Sequence, residues 1–344
     1  MNRSTAALAA GTRVTGLAVT GSIATDHLMT FPGRFADQLV ADKLHAVSLS
    51  FLVDTLDIRP GGVAPNICVG LAALGVRPLL VGAAGADFAA HSGRLAERGV
   101  DTSGVHISPT LHTARFLCTT DADGNQIASF FSGAMSQARS IALAPLAARA
   151  GGLDLVLIGA NDPDAMLAHT DECRERGYPF AADPSQQAAR MSGEALRRLI
   201  SGAAYLFTNE YEAALIEQKT GWSAAEILGR VGMRVTTLGA RGARIESGDA
   251  APLHVACPKE DARVDPTGVG DAFRAGFLAG RAWGLGAERS AQVGCMLATV
   301  VVEAMGPQEY EVDRRRFLER FGAAYGASAR AEVEPWLAAV AQGV

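Results

Sequence analysis

The segment Asp265-Pro-Thr-Gly-Val-Gly-Asp271 places two glycines and a carboxylate just ahead of Ala-Phe-Arg-Ala-Gly-Phe277, which reads as helix. Gly268 and Gly270 around Val269 let successive backbone N–H groups converge on one point, with the positive end of the helix dipole behind them. That is an anion hole. Asp271 beside it can take a proton from a hydroxyl while the hole holds the charge of a transferring phosphoryl group. The dipole predicts a lowered pKa for Asp271, hence a weak base, which suits a loose transition state. The same spacing also fits an ordinary helix start with an acidic first turn. The chain has no G-x-x-x-x-G-K-[ST], so a Walker loop is excluded.

A second signal is Gly61-Gly-Val-Ala-Pro-Asn66. Paired glycines permit close approach of a ligand to the backbone, and Pro65 suits the first turn of a helix. Asn66 then offers a donor and an acceptor at the helix mouth. A plain strand-to-helix turn would read the same way.

These residues need a scaffold. Short apolar runs at Leu17–Ile23, Pro78–Ala83, Leu153–Gly159, Phe180–Asp183, Tyr205–Asn209 and Val235–Gly239 alternate with helical or turn segments. That pattern predicts a parallel sheet covered on both faces. Ligands of such sheets bind beyond the carboxyl ends of the strands, which singles out Ser22, Asp26, Asp183 to Gln187, Asn209 to Glu212, Gly239 to Gly242 and Asp265 to Asp271. Val47–Phe51 and Thr113–Phe131 instead alternate apolar and polar, as half-exposed strands do. They predict one small sheet assembled from two insertions. The tail from Val269 reads as almost wholly helical. The expected organisation is an extension at 1–13, a large α/β unit from 14–26, 61–110 and 134–344, and a small sheet from 27–60 and 111–133.

Composition narrows the function. The 344 residues are 49% hydrophobic and 19% charged, too apolar for a disordered chain and too mixed for a membrane protein. A net charge of −5 argues against a nucleic-acid surface. Cys68, Cys118, Cys173, Cys257 and Cys295 are dispersed, without a C-x-x-C pair. That suggests reduced thiols and a cytoplasmic protein. No apolar run reaches the length of a membrane span.

Together the motifs G-G-x-x-x-N and D-x-x-G-x-G-D resemble those of the ribokinase-like, or PfkB, carbohydrate kinases. Gly82-Ala-Ala-Gly-Ala-Asp87, the N-x-x-E of Asn209 to Glu212, and Thr237-Leu-Gly239 with Gly242 add to this. The resemblance covers roughly Val14 to Arg330 in family order. It implies a central, mostly parallel sheet of about nine strands between helices, with a small β-sheet lid. Within the family, Val19–His27, Ser48–Val53, His112–Phe116, Gln126–Phe130, Gly159–Asp162 and Asp183–Gln187 look most like the actinobacterial adenosine kinases.

The resemblance implies roles. Asp271 would be the catalytic base for the 5′-hydroxyl of adenosine, with Gly268, Val269 and Gly270 as anion-hole amides. Ser22 would border the substrate, and Asp26, Gly62 and Asn66 would hold the ribose. Phe116 and Phe130 would stack on adenine, and Gln186 and Gln187 would meet its edge. Asn209, Thr237, Gly239, Gly242, Gly268 and Gly270 would line the ATP site, and Glu212 would reach Mg2+ through water. Some members of the family use K+ as an activator. Other readings are a sugar kinase of the ribokinase or fructokinase type, or a non-catalytic nucleoside-binding protein. For the phenylalanines the plain alternative is core packing, and for the glutamines a polar turn. An apolar lid face around Leu49 and Phe51 predicts a homodimer through the lid.

Overall fold

A computed structural model describes residues 14–39, 48–248 and 250–339. The extension expected at 1–13 lies outside them. The strands among the described residues are β1 (Leu17–Thr20), β2 (Ala24–Thr30), β3 (Thr55–Gly61), β4 (Leu79–Gly85), β5 (Asp101–Ser108), β6 (Ala114–Thr120), β7 (Gln126–Phe131), β8 (Leu155–Ile158), β9 (Phe180–Ala182), β10 (Tyr205–Asn209), β11 (Met233–Thr237), β12 (Ala243–Glu246) and β13 (Leu253–Val255). Four helices bear on the site: α1 (Val63–Ala73), α2 (Glu210–Thr220), α3 (Val269–Ala282) and α4 (Ala287–Val302).

Nine strands form one sheet in the order β13-β12-β11-β10-β9-β8-β1-β4-β5. From β11 through β5 every pairing is parallel, and β12 and β13 add an antiparallel edge. β1, β4 and β8 are buried at every position, as strands with both faces covered must be. One core packs α1, α3 and α4 against the sheet, around Phe207, Phe277 and Leu297. A second fills the other face, around Leu143, Met166, Leu196 and Ile216.

The helix that carries Asp271 is deeply set. Eleven of the fourteen residues of α3 are buried. A Cβ on Gly276 would come within 2.6 Å of the Gly294 Cα, so only glycine lets α3 and α4 cross this closely. Each large apolar side chain such as Phe277 contributes about 1.5–3 kcal/mol by burial.

The remaining four strands form a separate sheet in the order β3-β2-β6-β7. Its register aligns Arg59, Asp26, Phe116 and Phe130 in one cross-strand row. Residues in such a row share a face. The opposite face carries Leu56, Ile58, Ile127 and Phe131, which are between 47% and 57% exposed. Asp121 accepts hydrogen bonds from the backbone N–H groups of Asp123 and Asn125, which closes the turn between β6 and β7.

One expectation is corrected. Ser48 to Phe51 is not a strand, and Val47 lies outside the described residues. The pairing strand is β3, further along. Phe51 packs on Phe31 and Phe35, with ring centroids 5.0 and 4.9 Å away. That aromatic cluster, not a cross-strand ladder, organises this stretch.

Candidate active site

α3 begins with Gly268 as its N-cap in the left-handed conformation, φ 75°. The Val269 N–H points back to Pro266 O at 3.4 Å, and the Ala272 N–H bonds to Gly268 O at 2.8 Å. The N–H groups of Gly270 and Asp271 fall between them, in the first turn, where a helix offers no carbonyl partner. Both are free of backbone partners and could meet an anion, whereas the Val269 N–H is turned toward Pro266 O.

The Asp271 carboxyl contradicts the dipole expectation. Its pKa is pushed up to about 7, not down. Burial is the largest cause, and the carboxylates of Asp183 and Glu212 push the same way. Arg274 and the Asn66 hydrogen bond oppose it. Desolvation outweighs a dipole worth a fraction of a kcal/mol to about 1 kcal/mol. A group with this pKa is a competent general base near neutrality.

Asn66 sits in the first turns of α1 and donates from Nδ2 to Asp271 Oδ2 at 2.9 Å. Pro65 precedes it at a position whose N–H needs no partner. Gly62 caps α1 at φ 99°, where a Cβ would lie 2.5 Å from Ser22 O. Ser22 also accepts the Val63 N–H on Oγ at 3.2 Å. Ser22 and Gly62 therefore build the helix mouth that presents Asn66.

Beside this corner opens a cavity of about 370 Å³, within the range of small-molecule sites. Ser22, Asp26, Gly62, Asn66, Phe116, Phe130, Gln186 and Gln187 all line it. Asp26 lies over Gly61, where a Cβ would be 2.6 Å from its carboxyl oxygen. Its pKa is raised to about 6 by burial first and then by Glu309 and Asp265, against Arg59. Phe116 is half-buried and Phe130 is 43% exposed, so the ring faces remain available. The chain turns sharply after β9 at Ser185, a non-glycine residue at φ 45°. Gln187 then points inward, buried, and its Oε1 has no hydrogen-bond partner. Gln186 is exposed and accepts the Ser185 hydroxyl.

Asn209 and Thr237 end β10 and β11 side by side. Asn209 and Glu212 form a reciprocal cap on α2: the Asn209 Oδ1 accepts the Glu212 N–H, and Glu212 Oε2 accepts the Asn209 N–H, each at 2.8 Å. Gly239 stands at φ 61° with open space where a Cβ would be. Gly242 is different. A Cβ there would strike Val255 O, so Gly242 serves the fold of the β12–β13 edge and gives a ligand no added room.

Sequence reasoning missed Arg274. It is buried on α3, with Nη2 2.7 Å from Asp183 Oδ1 and Nε 2.5 Å from Oδ2. Its Nη1 donates to Gly270 O at 3.0 Å, and Glu212 lies 4.0 Å away. One cation thus ties the anion-hole helix, the turn after β9 and the start of α2. The signal was an arginine inside the apolar run Ala272–Phe277. Gln308 was also missed. Its Nε2 donates to Asn66 Oδ1 at 2.7 Å across 242 residues, and no local pattern announces that contact.

Among the described residues no group of three or more His, Cys, Asp or Glu could hold a metal ion. Glu212 has the right donor type for one outer contact to a hydrated magnesium. The rest of such an ion's shell would come from phosphates and water. No helix among the described residues is long and apolar enough to cross a membrane.

The family model for pfkB family carbohydrate kinases matches residues 23–314. A nucleoside kinase of Methanocaldococcus jannaschii is 30% identical over 253 residues, 72% of this chain and 80% of that protein. A nucleoside kinase of Methanothermobacter thermautotrophicus is 31% identical over 275 residues, 77% of this chain and 85% of its own length. The solved nucleoside kinase of Burkholderia thailandensis in complex with inosine superposes with a TM-score of 0.80 at 35% identity, covering 91% of this chain and 99% of that one.

Proposed function

This chain belongs to the pfkB family of carbohydrate kinases, and we propose that it transfers the γ-phosphoryl group of ATP to the 5′-hydroxyl of a purine nucleoside, adenosine in the first place. The observation that carries the reading is the cavity. A sugar alone needs polar walls. This cavity adds Phe116 and Phe130 in one row with Asp26, and an unpartnered Gln187 carbonyl oxygen on the wall. Aromatic faces suit a purine ring, and a lone buried acceptor suits an exocyclic amino group. The Burkholderia protein, solved with inosine, supports a purine pocket in this fold.

In this reading Asp26 accepts hydrogen bonds from the ribose hydroxyls, and charge assistance strengthens them. Asp271 takes the proton of the 5′-hydroxyl as its oxygen bonds to phosphorus and the β–γ bridging bond breaks. The first-turn N–H groups of α3 hold the charge on the transferring group. Asn209, Thr237 and Gly239 border the nucleotide. Magnesium would neutralise phosphate charge, with Glu212 as its contact through water. The small sheet acts as a lid that excludes water from the transfer. Its outer face, with Leu56, Ile58, Ile127 and Phe131, pairs with a second copy to make a homodimer. Light scattering at micromolar concentration tests that, and a monomer would reject it.

The activity test is ADP release with ATP and magnesium against adenosine, inosine, ribose and fructose. Turnover on adenosine supports the reading. Turnover on ribose or fructose alone would replace it with a sugar kinase.

A further inference from the structure

His91, Gln308, Asn66 and Asp271 form a continuous chain of side-chain hydrogen bonds. The His91 Nε2 lies 2.9 Å from Gln308 Oε1, Gln308 Nε2 lies 2.7 Å from Asn66 Oδ1, and Asn66 Nδ2 lies 2.9 Å from Asp271 Oδ2. The first three residues are buried, at 5%, 5% and 7% exposure. The chain has one consistent direction. An ionised Asp271 can only accept, so Asn66 must turn its amide N–H to it. The Asn66 carbonyl then faces Gln308, which must donate. The Gln308 carbonyl in turn faces His91, whose Nε2 must carry the proton. The His91 Nδ1 is left as a buried acceptor without a partner, as observed.

We propose that His91 and Gln308 are positioning residues that lock the Asn66 carboxamide with its N–H toward Asp271, committing Asp271 Oδ2 and leaving Oδ1 to receive the substrate proton. Without them the Asn66 amide is free to rotate its carbonyl toward the carboxylate, which repels it. His91 suits this task because it stays neutral. Burial, assisted by Arg94, pushes its pKa down to about 4. It also packs edge-on against Phe88, ring centroids 5.2 Å apart. The proposal rests on Asp271 being the base. The charged and titratable groups acting on that carboxyl are Arg274, Asp183 and Glu212, with Tyr310 close enough to feel its charge.

The test measures kcat, KM and the pH profile of kcat for Gln308→Leu and His91→Phe, with Asp271→Asn as reference. Removing the Gln308 donor should lower kcat about tenfold, the worth of the Asn66 hydrogen bond to the charged Asp271 that Gln308 holds in place. Nucleoside KM should stay within about twofold, because neither Gln308 nor His91 lines the cavity. The acid limb of the profile should move up by about one pH unit as the Asp271 anion loses support. His91→Phe should move the same parameters in the same direction by less. If Gln308→Leu does not fold, Gln308→Glu keeps the shape and, while ionised, cannot donate; it should show the same loss. A folded Gln308 variant with wild-type kcat and acid limb, or with only KM changed, would overturn the relay. Wild-type turnover by Asp271→Asn would instead overturn the base itself.

Discussion

The two walls of the site are built differently. On the side of the large sheet, Asp271, Asn66, Arg274 and Asp183 are held by buried hydrogen bonds and a two-point ion contact. On the side of the small sheet, Phe116 and Phe130 stand on strands open to solvent, and β7 is exposed along its whole length. The first wall rests on a helix with eleven buried residues. Among the described residues the second has a small buried apolar cluster, Ala24, Ala114 and Met135, beside the Phe31–Phe35–Phe51 rings. Chemistry needs atoms held to fractions of an ångström, whereas recognition of a flat ring tolerates a wall that moves. Under the proposed function the labour divides accordingly: phosphoryl transfer beside the buried wall, base recognition beside the exposed one.

Substitutions on the two walls should therefore fail in different ways. The largest effect belongs to Asp271→Asn, which should lower kcat by about a hundredfold to ten-thousandfold while nucleoside still binds by calorimetry. The same variant should melt higher at pH 7.5. The folded pKa of Asp271 lies above its unfolded value, so the native state binds the extra proton. Stability is then fully favoured below the unfolded value and lost as pH rises toward about 7. A neutral amide avoids that loss.

Arg274→Leu should cost stability on the order of 3–5 kcal/mol by denaturant titration, because Asp183 is left as an unpaired buried charge. On the other wall Phe116→Ala should weaken nucleoside binding by about 1–3 kcal/mol, read as a rise in KM, with kcat changed far less. Equal losses of kcat from both walls would erase the distinction between them.

A pH titration separates the walls without mutation. kcat should fall as pH drops through about 7, where Asp271 takes up a proton. Nucleoside KM should rise only below about 6, where Asp26 does. The smallest effect is expected at the tip of the small sheet. Arg34→Ala removes an exposed pair with Asp123 and should leave melting and kcat unchanged.

Much of the rigid wall was legible in the sequence because its signals are local. Two glycines and an aspartate within four residues give the helix mouth, and Tyr205–Asn209 is a strand with the bounds its apolar run suggests. The aromatic row was legible only through the family resemblance. Three things were not legible. β5, β12 and β13, at the two ends of the large sheet, are short or carry polar residues, so no apolar run marks them even though each pairs with the strand before it. The direction of the Asp271 shift depends on burial by α1, α2 and the turn after β9, which no local pattern weighs against the dipole. His91 and Gln308 meet only in the fold, 217 residues apart.

In the proposed function one cavity binds a purine nucleoside and presents its 5′-hydroxyl to Asp271. Steady-state ADP release with adenosine, inosine, ribose and fructose, run beside Asp271→Asn, tests it most directly. Turnover on adenosine, little on either free sugar, and a loss of at least about a hundredfold in the variant are expected. Turnover confined to a free sugar, or undiminished in Asp271→Asn, would contradict it.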